Sequence, residues 1–161
     1  MSTIKSDQLA NDAASPPVRG EFNRNGSALR YKLATWTVTA AQVTSEEGAT
    51  AGNMTVQLAT MPKGAIVNKA LSHVEWEDLG TTVTFDIGDG DDQDRYCSAL
   101  VGGTASTGGV NTFEERVGPG VYEAEHEYTA EDTIDIVNTA TISTLVAGRI
   151  LKAHIFYTMN G

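Results

Sequence analysis

The chain is poor in cysteine, with one residue, Cys97, among 161. A single cysteine cannot form an intrachain disulfide, a redox pair or a zinc site built from several thiolates. We therefore expect Cys97 to be a small, buried hydrophobic residue. A chain of this length buries about two thirds of its unfolded surface on folding, so it needs neither a disulfide nor a metal to hold a core.

Long apolar segments are absent as well. No run approaches the roughly 20 residues that a membrane helix requires. The opening residues, MSTIKSDQLANDAASPP, lack the apolar centre of a signal peptide. We expect a protein that is made and used in soluble form, with no membrane partner.

Basic residues are scarce, because 11 Lys and Arg stand against 21 Asp and Glu and give a formal net charge of -10. Such a chain is repelled by a phosphate backbone and lacks the counterion release that drives nucleic-acid binding. We predict no nucleic-acid partner. The excess of acid is interpreted as a solubilising feature that keeps a crowded or repetitive surface from aggregating.

What the chain has in quantity, from residue 30 onward, is strict alternation of apolar and polar residues. Alternation places one side of a strand in the core and the other in water. Seven clear strands, plus an eighth within 95–116, predict an all-β fold: an antiparallel β-sandwich, most economically an eight-stranded jelly roll. One or two helical turns are expected at 94–100. The predicted core comprises Trp36, Val56, Leu58, Ile66, Val74, Val83, Phe85, Ile134, Ile136, Leu151 and Ile155.

Residues 1–29 differ from the rest, since they contain Ser15-Pro16-Pro17 and no periodic apolar pattern. Proline restricts itself and its predecessor to extended backbone, and this segment cannot bury enough surface to order alone. We interpret it as an extended N-terminal arm preceding a β-sandwich domain at 30–161, with a disordered tail as the alternative. Its apolar residues are the predicted partner-binding residues: Ile4, Leu9, Val18 and Phe22.

The acidic segment 86–95 holds five aspartates within nine residues. Clustered oxygen ligands suit calcium, but the D-x-[DN]-x-[DN]-G order of an EF-hand is missing. The other interpretation is a strand-ending turn whose aspartates cap backbone amides while Arg95 neutralises part of the charge. Nearby, Trp76 is either a stacking platform for a sugar or a core residue with carboxylates at its rim. Together the first alternatives describe a calcium-dependent carbohydrate-binding module.

Catalytic patterns are missing from the chain. Its three histidines, His73, His126 and His154, lie in separate predicted strands and form no H-x-H pair of the kind that holds the metal in cupin enzymes. Two of them could still converge across strands. There is no G-x-S-x-G elbow, no P-loop and no H-E-x-x-H motif. We predict a protein that is not an enzyme, with no catalytic residues, no cofactor and no metal ligands.

The order of several motifs resembles small structural proteins encoded in the head and tail modules of tailed-bacteriophage genomes. The resemblance covers about residues 55–158 and is carried by Met61-Pro62-x-Gly64-Ala65-x-Val67, Leu79-Gly80-Thr81, Thr84-Phe85-Asp86-Ile87-Gly88-Asp89, Asp94-Arg95-Tyr96 and Tyr128-Thr129-Ala130-x-Asp132-Thr133-Ile134-Asp135.

That resemblance implies a jelly-roll or related sandwich that decorates or joins the capsid, often as a trimer. We therefore expect a capsid decoration, or cement, protein located in the virion and assembled in the cytoplasm of the host bacterium. Its expected partners are the major capsid protein and further copies of itself in a homotrimer. A head–tail or tail structural protein is the alternative within this class.

Overall fold

The computed structural model describes residues 2–5, 28–103, 108–113 and 125–160. Within these ranges the chain is nearly all-β. No helix there is long and apolar enough to cross a membrane. The elements in chain order are β1 (Ser2–Lys5), β2 (Arg30–Thr37), α1 (Ala40–Glu46), β3 (Met54–Met61), β4 (Ala65–Val67), β5 (His73–Trp76), β6 (Thr84–Gly88), β7 (Cys97–Val101), β8 (Gly109–Thr112), β9 (Asp132–Asn138) and β10 (Ile150–Met159).

The strands form two sheets that share one core. The first sheet has the order β1-β3-β9-β6-β7, and the second has the order β2-β10-β5-β8 with β4 also paired to β10. All pairings are antiparallel except that of β1 with β3, which is parallel. The prediction of an all-β fold with two antiparallel sheets is confirmed.

The predicted number of eight strands is wrong, because the described part of the chain contains ten. The long strand expected at 65–76 is divided into β4 and β5 by a turn, in which Asn68 accepts hydrogen bonds from the amides of Leu71 and Ser72. The strand expected at 122–128 lies partly outside the described residues, and in its described part Glu127 forms only a bridge to Ile66.

The core is the one that alternation predicts, with two departures. Of the predicted core residues, all are buried except Ile66. In β4 the burial pattern places Ala65 and Val67 inside and leaves Ile66 half-buried. The departure follows from the turn after β4, because a break between two strands resets which residues face the core. Tyr96 and Tyr128 were not predicted for the core, but they are buried and share a hydrogen bond between their hydroxyls at 2.7 Å.

The helix predicted at 94–100 is wrong, since β7 begins at Cys97 and pairs with β6. Pairing with an existing strand places Cys97 and Leu100 in the core, and this outweighs a weak local helix preference. The helix forms instead at Ala40–Glu46, where Thr39 and Gln42 make a reciprocal capping box. The Thr39 hydroxyl accepts from the Gln42 amide, and the Gln42 side chain accepts from the Thr39 amide.

The predicted N-terminal arm lies mostly outside the described residues. Of residues 1–29, the structure describes 28–29 and Ser2–Lys5, and Ser2–Lys5 is a strand in which Ile4 is in register with Val56 of β3. That residues 1–29 act as an arm and that the domain begins at residue 30 therefore stay predictions.

Replacing Phe85 with Ala should lower the free energy of unfolding by about 3–5 kcal/mol, because a large buried ring is exchanged for a cavity. Phe85 is 1% exposed, and its ring meets the ring of Trp76 edge-on at 5.5 Å between centroids. Urea denaturation followed by tryptophan fluorescence measures the change. The control is Val146→Ala, since Val146 is 37% exposed and its truncation should stay within about 0.5 kcal/mol. A loss below about 1 kcal/mol for Phe85→Ala would contradict the packing.

Candidate functional site

The acidic turn between β6 and β7 is organised by one buried carboxylate, that of Asp89. One oxygen of Asp89 accepts hydrogen bonds from the backbone amides of Asp91 and Asp92, at 3.2 and 2.9 Å. The other oxygen forms an ion pair with Nε of Arg95 at 2.5 Å and lies 3.8 Å from Nε2 of His126. The sequence interpretation of a strand-ending turn, with capped amides and a neutralising arginine, describes this geometry.

The electrostatics of the turn agree with that arrangement. Burial alone would lower the pKa of Arg95, but the neighbouring Asp89 carboxylate outweighs it and raises the pKa. A hydrogen bond with Asp92, together with burial, raises the pKa of Asp94. Asp86 is also engaged, since it accepts a hydrogen bond from the Ala99 amide at 2.6 Å. Among the residues that the structure describes, no group of three or more His, Cys, Asp or Glu side chains is placed to hold a metal ion.

A second buried carboxylate, Asp135, lies on β9 in the middle of the first sheet and is 8% exposed. Burial raises the pKa of Asp135 to about 6, a hydrogen bond from Thr133 opposes the shift, and the nearby charges of Asp132 and Asp89 add to it. Its Oδ1 finds no hydrogen-bond donor among the described residues. The Asp135 carboxyl group therefore gains its negative charge near pH 6, about two pH units above an ordinary aspartate.

The carboxylates of Glu75 and Glu77 and the ring of Trp76 line an open cavity of about 370 Å³. The Trp76 indole donates to the Val101 carbonyl at 3.2 Å, and the start of β8 at Gly109 packs so tightly on the ring that an added Cβ would lie 2.3 Å from it. Glu77 accepts a hydrogen bond from the Ile150 amide at 3.0 Å. Trp76 is thus a half-buried residue at the edge of the hydrophobic core. The carboxylates of Glu75 and Glu77 lie beside it at the rim of the cavity. The cavity is lined by Glu75, Trp76, Glu77, Gly108, Gly109, Val110, Ile150 and Lys152.

Two of the three histidines converge on the outer surface of the second sheet. His73 of β5 and His154 of β10 are in register, and their rings stack with centroids 4.4 Å apart and planes 7° from parallel. His126 lies elsewhere, beside Asp89 and the ring of Tyr128. Stacked parallel rings do not direct their nitrogen lone pairs at a common point, so the pair is a packing contact and not a chelate.

The stacked histidines belong to a larger aromatic face, which we define as Tyr31, Leu33, His73, His154 and Phe156. These residues occupy the outward positions of β2, β10 and β5. Leu33 is in register with His154, and Tyr31 with Phe156. The rings of Tyr31 and Phe156 lie 4.9 Å apart, and the Tyr31 hydroxyl is 2.8 Å from Nδ1 of His154. Tyr31 remains 50% exposed and Leu33 37% exposed.

Sequence reasoning missed the aromatic face because it assigned the outward residues of each strand to water. The sequence did contain a signal for it, since Tyr31 and Leu33, and likewise His154 and Phe156, are two residues apart. Residues two apart in a strand lie on the same face. Which strand neighbours which is a long-range property, however, and no local pattern places β2 beside β10. Beside the aromatic face, Glu75 pairs with Lys152 at 3.1 Å, and this hydrogen bond lowers the pKa of Glu75.

The residues predicted to bind a partner are not brought together in the described part of the chain. Ile4 lies in β1, where the backbone is described. Leu9, Val18 and Phe22 fall outside the described residues. Their role stays a prediction.

Comparison with known proteins finds similarity at the level of structure only. No protein-family model and no curated protein matches the sequence. A chain in the capsid of Ralstonia phage GP4 superposes with a TM-score of 0.64 and 18% identity, over 99% of this chain and 99% of that one. A chain in the capsid asymmetric unit of cyanophage Pam1 gives a TM-score of 0.53 and 19% identity, over 91% and 96%. At such identities the similarity establishes the fold.

Replacing Asp135 with Asn should change how stability depends on pH. Because the folded-state pKa of Asp135 is raised, the folded protein holds this proton more tightly than the unfolded chain does. The stability that this contributes is present below the unfolded pKa of about 4 and is lost as pH rises through about 6. Relative to wild type, Asp135→Asn should therefore gain about 1–2 kcal/mol between pH 4 and pH 7, after a discount for solvent screening.

Chemical denaturation at pH 4, 5, 6 and 7 measures this difference. The matched control is Val137→Ala on the same strand, because Val137 is also buried and carries no titrating group. Its effect on the free energy of unfolding should be equal at every pH. A difference between wild type and Asp135→Asn that does not vary with pH would show that Asp135 has no raised pKa.

Proposed function

We propose that this chain is a structural protein of a tailed-bacteriophage virion, and within that class a capsid decoration protein. The observation that carries the proposal is the end-to-end similarity in fold to a chain in the capsid of Ralstonia phage GP4. Because the alignment covers 99% of each chain, the two have nearly the same length. The chain in the cyanophage Pam1 capsid gives independent support at slightly lower coverage.

The strand order supports a jelly roll. If β1 is set aside and β4 and β5 are counted as two parts of one strand, eight strands remain. Of these, β2 pairs with β10, β3 with β9, β5 with β8, and β6 with β7. The first strand thus pairs with the last, the second with the last but one, and so on inward. A long antiparallel hairpin wrapped into two sheets produces this order, and the order therefore supports the proposal of a jelly roll.

The proposed mechanism is multivalent binding to the major capsid protein. A shell that holds packaged DNA must resist separation of its subunits, and a clip that contacts several subunits at once resists it because linked contacts act at high effective concentration. A homotrimer would match the points at which coat subunits meet about a closed symmetry axis. In this proposal the arm at 1–29 orders on the coat or on a neighbouring copy through its apolar residues, Ile4, Leu9, Val18 and Phe22.

Charge is consistent with a position on the outside of a particle. The net charge of -10 would make neighbouring particles repel one another and would disfavour contact with packaged nucleic acid. No catalytic role is part of the proposal. Assembly would take place in the bacterial cytoplasm, where coat and decoration proteins are both made.

The alternative of a calcium-dependent carbohydrate-binding module is less well supported. The Asp89 oxygens that a calcium ion would need already bind two amides and Arg95. The ring of Trp76 is packed against Phe85 and Gly109. Titration calorimetry with calcium separates the two functions, since saturable micromolar binding would favour the module. A head–tail or tail position remains within the proposed class, and recovery of the chain from purified tails but not from tail-less heads would identify it.

Deleting residues 1–28 should weaken binding to undecorated phage heads, because the arm supplies part of the contact area. Full-length and truncated proteins are added to heads that lack this protein, and bound protein is measured after sedimentation of the heads. Protection is measured as the rise in the temperature at which the heads open. Full-length protein should bind and protect, and the truncated protein should do both less well.

Two results would contradict parts of this scheme. Equal binding and equal protection by the truncated protein would exclude the arm mechanism while leaving a virion role intact. Failure of the full-length protein to bind any head preparation would count against decoration itself. Circular dichroism of the truncated protein serves as the control that the sandwich is still folded.

A further inference from the structure

The outward surface of the second sheet departs from the rule for a sandwich exposed to water. An antiparallel sheet with one face on the core normally carries polar residues on its other face. Here the outward positions of β2 and β10 include Tyr31, Leu33 and Phe156, which are cross-strand neighbours. Val110 of β8 is 70% exposed on the same sheet, but Glu75 and Lys152 lie between it and β2. Exposed apolar residues grouped in this way mark an interaction surface.

The charge of this surface is unlike that of the chain as a whole. At the outward positions of β2, β10, β5 and β8, the residues charged at neutral pH are Lys152 and Glu75, and they pair with each other. The surface therefore carries no formal net charge on a chain whose total is -10. By contrast, strands β3, β9, β6 and β7 of the first sheet contain Asp86, Asp132 and Asp135 and no basic residue.

This contrast favours a second copy of the chain as the occupant. Two identical chains of high negative charge repel each other at most orientations, and like charges placed opposite one another cost several kcal/mol in binding. The neutral aromatic surface is the part on which a like-charged copy can approach without that cost. Hydrogen-bonded aromatic rings also lose little side-chain entropy when a partner covers them.

The size of the surface sets the strength of such a contact. Strands β2, β10, β5 and β8 have eight, ten, four and four residues, so at about 3.3 Å per residue and about 4.8 Å between strands they cover about 400 Å² on each copy. Two copies together would bury about 800 Å², which is the size of a weak, transient contact.

We infer that copies of this chain associate through the outward surface of the second sheet, centred on the aromatic face. The contact lies on the face of a sheet and not on a strand edge. It rests on the proposed function, in which copies of the chain associate, and it adds the surface through which they do so; because it concerns the purified chain alone, it can fail while a virion role stands.

Sedimentation velocity of the full chain between about 1 and 100 µM tests the inference, since contacts of this size commonly dissociate in the micromolar range. Wild type should form a complex of two or three chains. Leu33→Glu should weaken association by about 100-fold or more, because it places a carboxylate in the centre of the contact. The matched control is Val146→Glu, since Val146 has the same exposed fraction, 37%, and lies in the turn before β10, outside the surface.

The outcomes separate cleanly. A complex that Leu33→Glu dissociates and Val146→Glu leaves intact supports the inference, and its mass also reports the number of copies. A wild-type chain that stays monomeric at about 100 µM, or a complex that neither variant disturbs, overturns it. If wild type is monomeric and Leu33→Glu instead loses binding to heads, the occupant is the coat protein and the second copy is excluded. Circular dichroism and urea denaturation show that both variants are folded.

Discussion

Strand β10 is the element on which the second sheet depends. It pairs with β2 along one side and with β4 and β5 along the other, so three strands are positioned by its backbone. Its inward residues, Leu151, Ala153 and Ile155, are fully buried. Because the core fixes those positions, the intervening residues are held outward with equal precision. The aromatic face is therefore built on the most constrained strand of the sheet, where side chains require little further ordering when a partner binds.

The first sheet is closed by a buried amide, that of Asn138 at the end of β9. Its oxygen accepts a hydrogen bond from the Met54 amide, and its nitrogen donates to the carbonyls of Ala49, Thr50 and Ala140. A buried amide that meets donors and acceptors on both sides stabilises its surroundings more than the separate bonds suggest. It joins the loop after α1 to the start of β3 and to the end of β9. This side chain was not singled out in the sequence, since nothing local distinguishes it from a turn asparagine.

Local patterns predicted most of the architecture. Alternation placed Trp36, Phe85 and Ile155 in the core because the period of a strand is two and does not depend on its neighbours. The turn at Asp89 was also readable, since an aspartate beside glycines commonly caps its own backbone. The same reasoning failed at α1, although Thr39 and Gln42 have the spacing of a capping box. The signal was present, but the helix is one of seven residues, too short for its periodicity to be noticed.

Long-range features were beyond a single sequence. The stacking of His73 on His154 requires that β5 and β10 be neighbours in a particular register, and the 80 positions between these residues contain no sign of it. The raised pKa of Asp135 likewise comes from burial on the central strand of a sheet, which its sequence neighbours do not specify. Alternation in the sequence shows which residues of a strand face the core and which face outward. Strand order and register decide which outward residues contact one another.

The separation of charge and apolar surface on this small domain has a physical consequence for assembly. If charge were spread evenly, a chain at -10 would stay monomeric by self-repulsion, and no surface would be preferred. Because the outward positions of the second sheet carry no formal net charge, repulsion between two copies is weaker when their aromatic faces meet than when their acidic turns meet. The acidic turn between β6 and β7 belongs to the other sheet, and it opposes contact between like-charged copies there. The described charge distribution thus favours association at one surface over association at the other.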